Sequence, residues 1–344
     1  MPALWAEGCL PDVRFISPVV SSLPKDNRCP RRPYKRERIE VNSEKKLRAK
    51  TAPIKSTSLL RDFLVTYSTP LQPRQVRLEL TSYCNAHCAS CHRLSMKRAP
   101  EHMPWDLLQK CLEDIRYFPE TLTELVPNNY GETFLHPRWY EALELICQKL
   151  PRTRLVLPTN GTLLDEVGVE LLCRLPNLQL VNFSVNAISP KLYEAFHKLP
   201  ATMLADIERV VLRFKQLRPD ILIWISMVQD SQYQSPREIE LFREFWSRYG
   251  VVQINPAHFN DRPTMEPLLP VEWPCRSLFS DLVVACDGRV SSCCFDADLE
   301  LVVGDARKEN LLSIWHGKAL NELRNKHLAG ERGSIPLCRR CTFA

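Results

Sequence analysis

QVRLELTSYCNAHCASC, residues 75–91, carries the start of the regular pattern and the densest chemistry of the chain. Residues 76–81 read as a strand, and the chain passes from it directly into Cys84, Cys88 and Cys91. Three thiolates in one short loop can wrap one corner region of an iron–sulfur cubane, a cofactor that normally takes four cysteines. One iron is then left without a protein ligand, and an open coordination position is what catalysis at a metal requires. The loop falls at the C-terminal end of a strand, where α/β proteins place their sites. Spacing alone also admits zinc.

Outward from this loop, strands are expected at 122–126, 154–158, 178–185, 221–227 and 251–255. Helices are expected at 104–117, 137–150, 163–174, 201–217 and 236–249. Pro104, Pro137 and Pro236 stand where helices begin, positions at which a missing N–H costs nothing. Several strands are apolar on both faces, as in a parallel sheet covered by helices. The rhythm predicts an α/β fold, either a partial barrel or a doubly wound sheet.

After about residue 256 the rhythm stops. A connector with Pro263, Pro267, Pro270 and Pro274 leads into a short cysteine-rich segment. There 281–285 and 290–294 read as a hairpin around Asp287 and Gly288, followed by one helix at 310–328 and a Cys338–Cys341 end. The organisation expected is a basic, proline-rich, largely disordered leader at 1–74 with a short helix near 58–67, a barrel at 75–258 and a small domain at 259–344.

The 344 residues are 44% hydrophobic and 25% charged, an ordinary globular composition. No stretch approaches the ~20 apolar residues of a membrane span, and MPALWAEGCLPDVRF lacks the pattern of a secretory signal. A soluble, cytoplasmic protein without a membrane partner is expected. The net charge of +6 sits in the leader: residues 1–60 hold 13 Lys/Arg against 6 Asp/Glu. The remainder is nearly neutral, so nucleic acid is not the expected partner. Fourteen cysteines without an export signal point to metal rather than disulfides. Cys111, Cys147 and Cys173 lie in apolar, helix-like surroundings and read as packing residues.

C-x3-C-x2-C after the first strand of a (βα)6 pattern resembles the signature of the radical S-adenosylmethionine (SAM) superfamily, over roughly residues 75–255. The resemblance implies a partial (βα)6 TIM-like barrel. It also implies a [4Fe–4S] cluster on Cys84, Cys88 and Cys91 that chelates SAM, and reductive cleavage to a 5′-deoxyadenosyl radical that takes hydrogen from a substrate carbon. Asn129-Tyr130-Gly131-Glu132 is similar to the family's G-G-E motif, which implies contact of Gly131 and Glu132 with the SAM amino group; Tyr130 replaces the first glycine. Thr159-Asn160-Gly161-Thr162 resembles the T-N-G turn beside the SAM ribose, and as plain chemistry is also an Asn-Gly turn. Ser184 and Asn186 fall where the family places a polar contact to SAM. Ser90 departs from the family's larger apolar residue, and His87 and His92 flank the ligands.

Cys275, Cys293, Cys338 and Cys341 suit a closed tetrahedral site or a fully ligated [4Fe–4S] cluster. The text between them, with Asp287-Gly288, Cys293-Cys294-Phe295-Asp296, Val303-Gly304-Asp305 and Leu311 to His316, looks like a SPASM/twitch auxiliary-cluster domain. That likeness implies one auxiliary [4Fe–4S] cluster on those four residues, with Cys294 as the alternate ligand and Cys286 as packing. In such relatives the second cluster takes an electron from the substrate radical. The expected function is oxidation of a sugar or aminocyclitol-type natural-product intermediate, fed by an electron donor such as flavodoxin or ferredoxin. Modification of a ribosomal peptide or protein residue is the alternative, and an electron-transfer or zinc-binding module the non-enzymatic one.

Overall fold

The computed structural model describes residues 68–256, 274–339 and 341. The leader up to residue 67, with the helix expected at 58–67, and the connector at 257–273 lie outside the described residues. The regular part runs β1 (Gln75–Leu78), α1 (Trp105–Arg116), β2 (Glu124–Val126), α2 (Trp139–Lys149), β3 (Arg154–Thr159) and α3 (Glu166–Cys173). It continues through β4 (Leu178–Ser184), α4 (Pro190–His197), α5 (Met203–Leu217), β5 (Leu222–Gln229), α6 (Pro236–Trp246) and β6 (Val251–Pro256).

These six strands are parallel and stand in the order β6-β5-β4-β3-β2-β1. Crossovers between parallel strands are right-handed. A strand order without reversal therefore puts every crossover helix on the same face, whereas a doubly wound sheet needs a switch in direction. Of the two architectures the periodicity allowed, the topology selects the partial barrel. Its inner strands are mostly apolar: Leu180, Val181 and Phe183 of β4 and Ile223, Ile225 and Met227 of β5 are buried.

The cysteine-rich segment joins the same sheet. β7 (Asp281–Val284) pairs parallel to β1, matching Gln75 with Asp281 and Leu78 with Val284. β8 (Arg289–Ser291) and β9 (Gly304–Asp305) continue antiparallel, giving nine strands among the described residues. The expected hairpin forms, with Gly288 at φ +88° in the turn, a conformation that suits glycine. Leu78 and Val284 belong to one buried core that reaches Trp315.

Two helical departures from the sequence reading bear on the site. The single helix expected at 310–328 is broken into α7 (Leu311–Trp315) and α8 (Lys318–Leu328) by His316 and an extended Gly317. The break lets Trp315 Nε1 donate to the Pro70 carbonyl, and His316 Nε2 approach that of Leu71 at 2.8 Å, tying the chain ahead of β1. The other is α4, an unexpected helix whose Ser189 hydroxyl caps the Leu192 amide and whose Pro190 opens the first turn. A last short helix, α9, spans Pro336–Arg339. No helix among the described residues is long and apolar enough to cross a membrane.

Candidate functional site

The loop after β1 is built from outside as well as inside. Arg93 Nη2 donates to the carbonyls of Cys84 (3.2 Å) and Ala86 (2.9 Å), drawing the loop round a guanidinium. The His87 and Ala89 amides donate to the carbonyls of His197 and Phe196 at the end of α4. Carbonyls of a last helical turn have no partner inside the helix, so α4 supplies the acceptors on which the loop rests. His197 is fully buried, with Nδ1 3.1 Å from Cys88 Sγ and Nε2 2.9 Å from the Val185 carbonyl. That carbonyl needs a proton on Nε2, so Nδ1 accepts from the Cys88 thiol. Burial pushes His197 down to about 4. Burial likewise raises the Cys84, Cys88 and Cys91 thiols, and Cys84 and Cys88 are raised further by thiols of the same loop.

Gly131 and Glu132 follow β2. A Cβ on Gly131 would lie 1.8 Å from the Thr81 carbonyl oxygen, so the glycine is demanded by packing against the extension of β1. Glu132 is buried and accepts from the Thr159 hydroxyl (3.0 Å) and the Asn160 amide (2.8 Å). Burial pushes its carboxyl up to about 7, and the groups opposing this are neutral: the Asn160 amide, the Thr159 hydroxyl, and the Phe134 and Thr133 amides. Asn160 in turn donates to Asn85 Oδ1 (2.9 Å), with its Nδ2 3.9 Å from Cys84 Sγ. Asn85 Nδ2 donates to Thr162 Oγ1 (2.8 Å). One network thus joins the first cysteine loop, the β2 loop and the β3 turn.

Ser184 ends β4 and pairs with Ser226 on β5. Asn186 has φ +57°, and its side chain is engaged by the fold: Oδ1 accepts from the Val228 amide (2.7 Å), and Nδ2 lies 3.4 Å from His197 Nε2.

The second cysteine set gathers from three places in the chain. Cys275 precedes β7, and its amide donates to His327 Nδ1 (3.1 Å) on α8. Cys293 and Cys294 follow β8 in a turn held by the buried Asp296, which accepts from Ser291 Oγ and the amides of Glu300 and Leu301. Cys338 and Cys341 close on each other through the Cys341 amide and Cys338 carbonyl (3.2 Å). Burial raises Cys275 and takes Cys338 to about 12 and Cys294 to about 11; each is also raised by another thiol of the set. Cys293 rises well above its ordinary value for the same reasons, with Cys294 and Cys275 as neighbours. Cys286 lies apart, its thiol 3.3 Å from Glu79 Oε2.

Between the two sets stand further groups, of which sequence reading passed over Glu79 and Arg98. Glu79, on the extension of β1, forms a buried ion pair with Arg98 (2.7 Å) and accepts from the Tyr130 and Cys286 amides. Arg98 donates to the Ala297 carbonyl (2.7 Å) in the second segment. Tyr130 Oη donates to the Cys294 carbonyl (2.7 Å), and its ring lies 6.4 Å from His92, itself 5.6 Å from Phe295. A carboxylate inside the apolar run Leu78–Leu80 was the available signal for Glu79. His197 had none, and Asp296 was visible only as part of the Cys293-Cys294-Phe295-Asp296 stretch.

These donors fit iron–sulfur chemistry. Both sets are all-sulfur, half-buried and crowded with like groups that ionise only against a strong cation. His327 Nε2 is a buried donor without an acceptor among the described residues, as befits a site completed from outside the chain. Glu132 offers a buried carboxylate to a cationic ligand. Among the described residues no group of three or more His, Cys, Asp or Glu side chains could hold a single metal ion.

Residues 78–261 match the radical SAM superfamily, and residues 275–342 match an iron–sulfur cluster-binding domain. The chain belongs to the radical SAM superfamily. Membership implies SAM and a [4Fe–4S] cluster, and the second domain implies auxiliary iron–sulfur.

A tungsten-containing aldehyde ferredoxin oxidoreductase cofactor-modifying protein of Pyrococcus furiosus is 27% identical over 46% of this chain and 45% of its own length. A SAM-dependent 2-deoxy-scyllo-inosamine dehydrogenase of Niallia circulans is 22% identical over 77% of this chain and 91% of its own. The chain thus spans less than half the length of the Pyrococcus relative. Among solved structures, BtrN in complex with AdoMet and 2-DOIA superposes with TM-score 0.55 at 19% identity, over 80% of this chain and 94% of that one. SuiB of Streptococcus suis bound to precursor peptide SuiA gives 0.59 at 13%, over 80% and 72%. At these identities the structures speak for the fold.

Proposed function

We propose that the chain is an enzyme that binds SAM and a [4Fe–4S] cluster at the first cysteine loop and abstracts hydrogen from a substrate carbon, with one auxiliary cluster on Cys275, Cys293, Cys338 and Cys341. The observation that carries this reading is the hydrogen-bonded network running from the Cys84–Cys91 loop through Asn85 and Asn160 to Glu132. Bound there, cluster and SAM supply one-electron chemistry that generates a hydrogen-abstracting carbon radical. Cys84, Cys88 and Cys91 would hold the cluster, and Arg93 and the end of α4 hold their loop in shape. Glu132 meets the SAM amino group as a carboxylate, while Asn160 and Ser184 orient the cofactor. Asn186 contributes through the strand end it braces.

For the substrate, we favour oxidation of a sugar or aminocyclitol-type intermediate. The likeness to the Niallia circulans dehydrogenase, which covers most of each chain, supports it. The likeness to SuiB, a structure solved with its precursor peptide, supports peptide modification as the second reading. Anaerobically reconstituted protein should hold about eight irons, for two cubanes, and release 5′-deoxyadenosine from SAM with reductant. Cys84→Ala, Cys88→Ala and Cys91→Ala together should abolish release and leave about four irons; release retained in the triple variant would place the active site elsewhere.

A further inference from the structure

We propose that Arg332 is a built-in counter-charge for the second cysteine set, raising the reduction potential of the cluster held there above the value that the same ligands would set without it. The inference rests on the assignment of Cys275, Cys293, Cys338 and Cys341 as ligands. Arg332 opens a short turn after α8 and is 1% exposed, although its side chain carries a full charge. Burying a guanidinium is costly unless charge or hydrogen bonds compensate it. Its Nη2 donates to the carbonyl of Cys341 (3.0 Å), so the charge lies against the backbone of a ligand residue. Cys275 and Cys338 both feel it, as does His327, the ring that accepts the Cys275 amide. The cation is thus seated beside the C-terminal cysteine pair and within reach of the first cysteine of the set.

Neutral thiols give a buried cation little. A cluster on four thiolates is anionic in both oxidation states and gains one further negative charge on reduction, so a fixed cation stabilises the reduced form more. Burial keeps this interaction from being screened by salt. Among the described residues, Arg77 also acts on Cys294 with the same sign, and Asp281 and Asp296 act with the opposite one. Asp296 is already held by three donors from its own turn. A cluster poised upward in this way is a better acceptor for an electron leaving a substrate radical.

The test uses the full chain carrying Cys84→Ala, Cys88→Ala and Cys91→Ala, so that the second set is the sole cluster site, in three forms: Arg332, Arg332→Lys and Arg332→Gln. Iron content is measured first, then the potential by redox titration followed by electron paramagnetic resonance. Arg332→Gln, which keeps a donor and loses the charge, should titrate at a more negative potential, and Arg332→Lys close to the parent. An unchanged potential in Arg332→Gln, or an equal drop in both variants, overturns the proposal. Should Arg332→Gln take up no iron, Arg332→Lys decides: iron at the parent potential supports the charge, and loss of iron there overturns it. A parent without iron overturns the ligand assignment itself, an outcome distinct from a loaded cluster whose potential ignores residue 332.

Discussion

At the scale of single residues, Glu132 has the sharpest consequence. Its carboxyl titrates at about 7 in the fold against an ordinary 4.5, because burial outweighs four neutral hydrogen-bond donors. Between those values the folded state binds more protons than the unfolded one, so stability is greatest below about pH 4.5 and falls as pH rises through 7. The span corresponds to roughly 3 kcal/mol at the upper end. Glu132→Gln should flatten that dependence, which urea melts of the unloaded protein at pH 5.5 and 7.5 would read; a slope as steep as the parent's would mean another group titrates. In the loaded protein, a cation on the carboxylate favours the ionised form, so SAM should bind more tightly as pH rises through 7. The Gly131-Glu132 pair was legible in sequence, but not its reason: the glycine answers the Thr81 carbonyl, an approach only the folded chain creates.

At the scale of elements, the turn after β8 depends on one buried carboxylate. Asp296 takes three hydrogen bonds from within six residues, and removing it leaves those donors unsatisfied at about 1–3 kcal/mol each. Asp296→Ala should cost several kcal/mol locally and shed about four irons while the first cluster's share remains; full iron content in that variant would show that the turn holds without it. The strands and most helices were legible because a two-sided apolar run or a 3.6-residue stripe is a local property. α4 was missed although Ser189 and Pro190 form a standard helix start, because eight residues give too little periodicity to register. With it went His197, whose approach to Cys88 spans 109 positions of sequence.

At the scale of the whole molecule, the two cysteine segments meet at Glu79 and Arg98, both nearly inaccessible. Removing one partner of such a pair leaves a bare charge and typically costs about 3–5 kcal/mol, whereas replacing both with apolar groups costs much less. Arg98→Met should therefore destabilise strongly, and Arg98→Met with Glu79→Leu by less than the sum of the single losses even though the Tyr130 and Cys286 amides lose their acceptor, with non-additivity in a thermal-melt cycle as the measure; additive losses would mean that the pair is not coupled. Sequence placed the boundary between segments near residue 258 but did not reveal that β7 pairs with β1, since a pairing 206 positions apart, as from Gln75 to Asp281, leaves no periodic trace. That pairing has a consequence for how the two sets are held. Neighbouring strands are pinned at about 4.8 Å by their ladder, so the two thiol sets hang from one rail rather than from jaws that open and shut. The strand that leads into the first cysteine loop and the hairpin that leads into the Cys293 turn therefore keep one register, and a shift of either would carry the other with it.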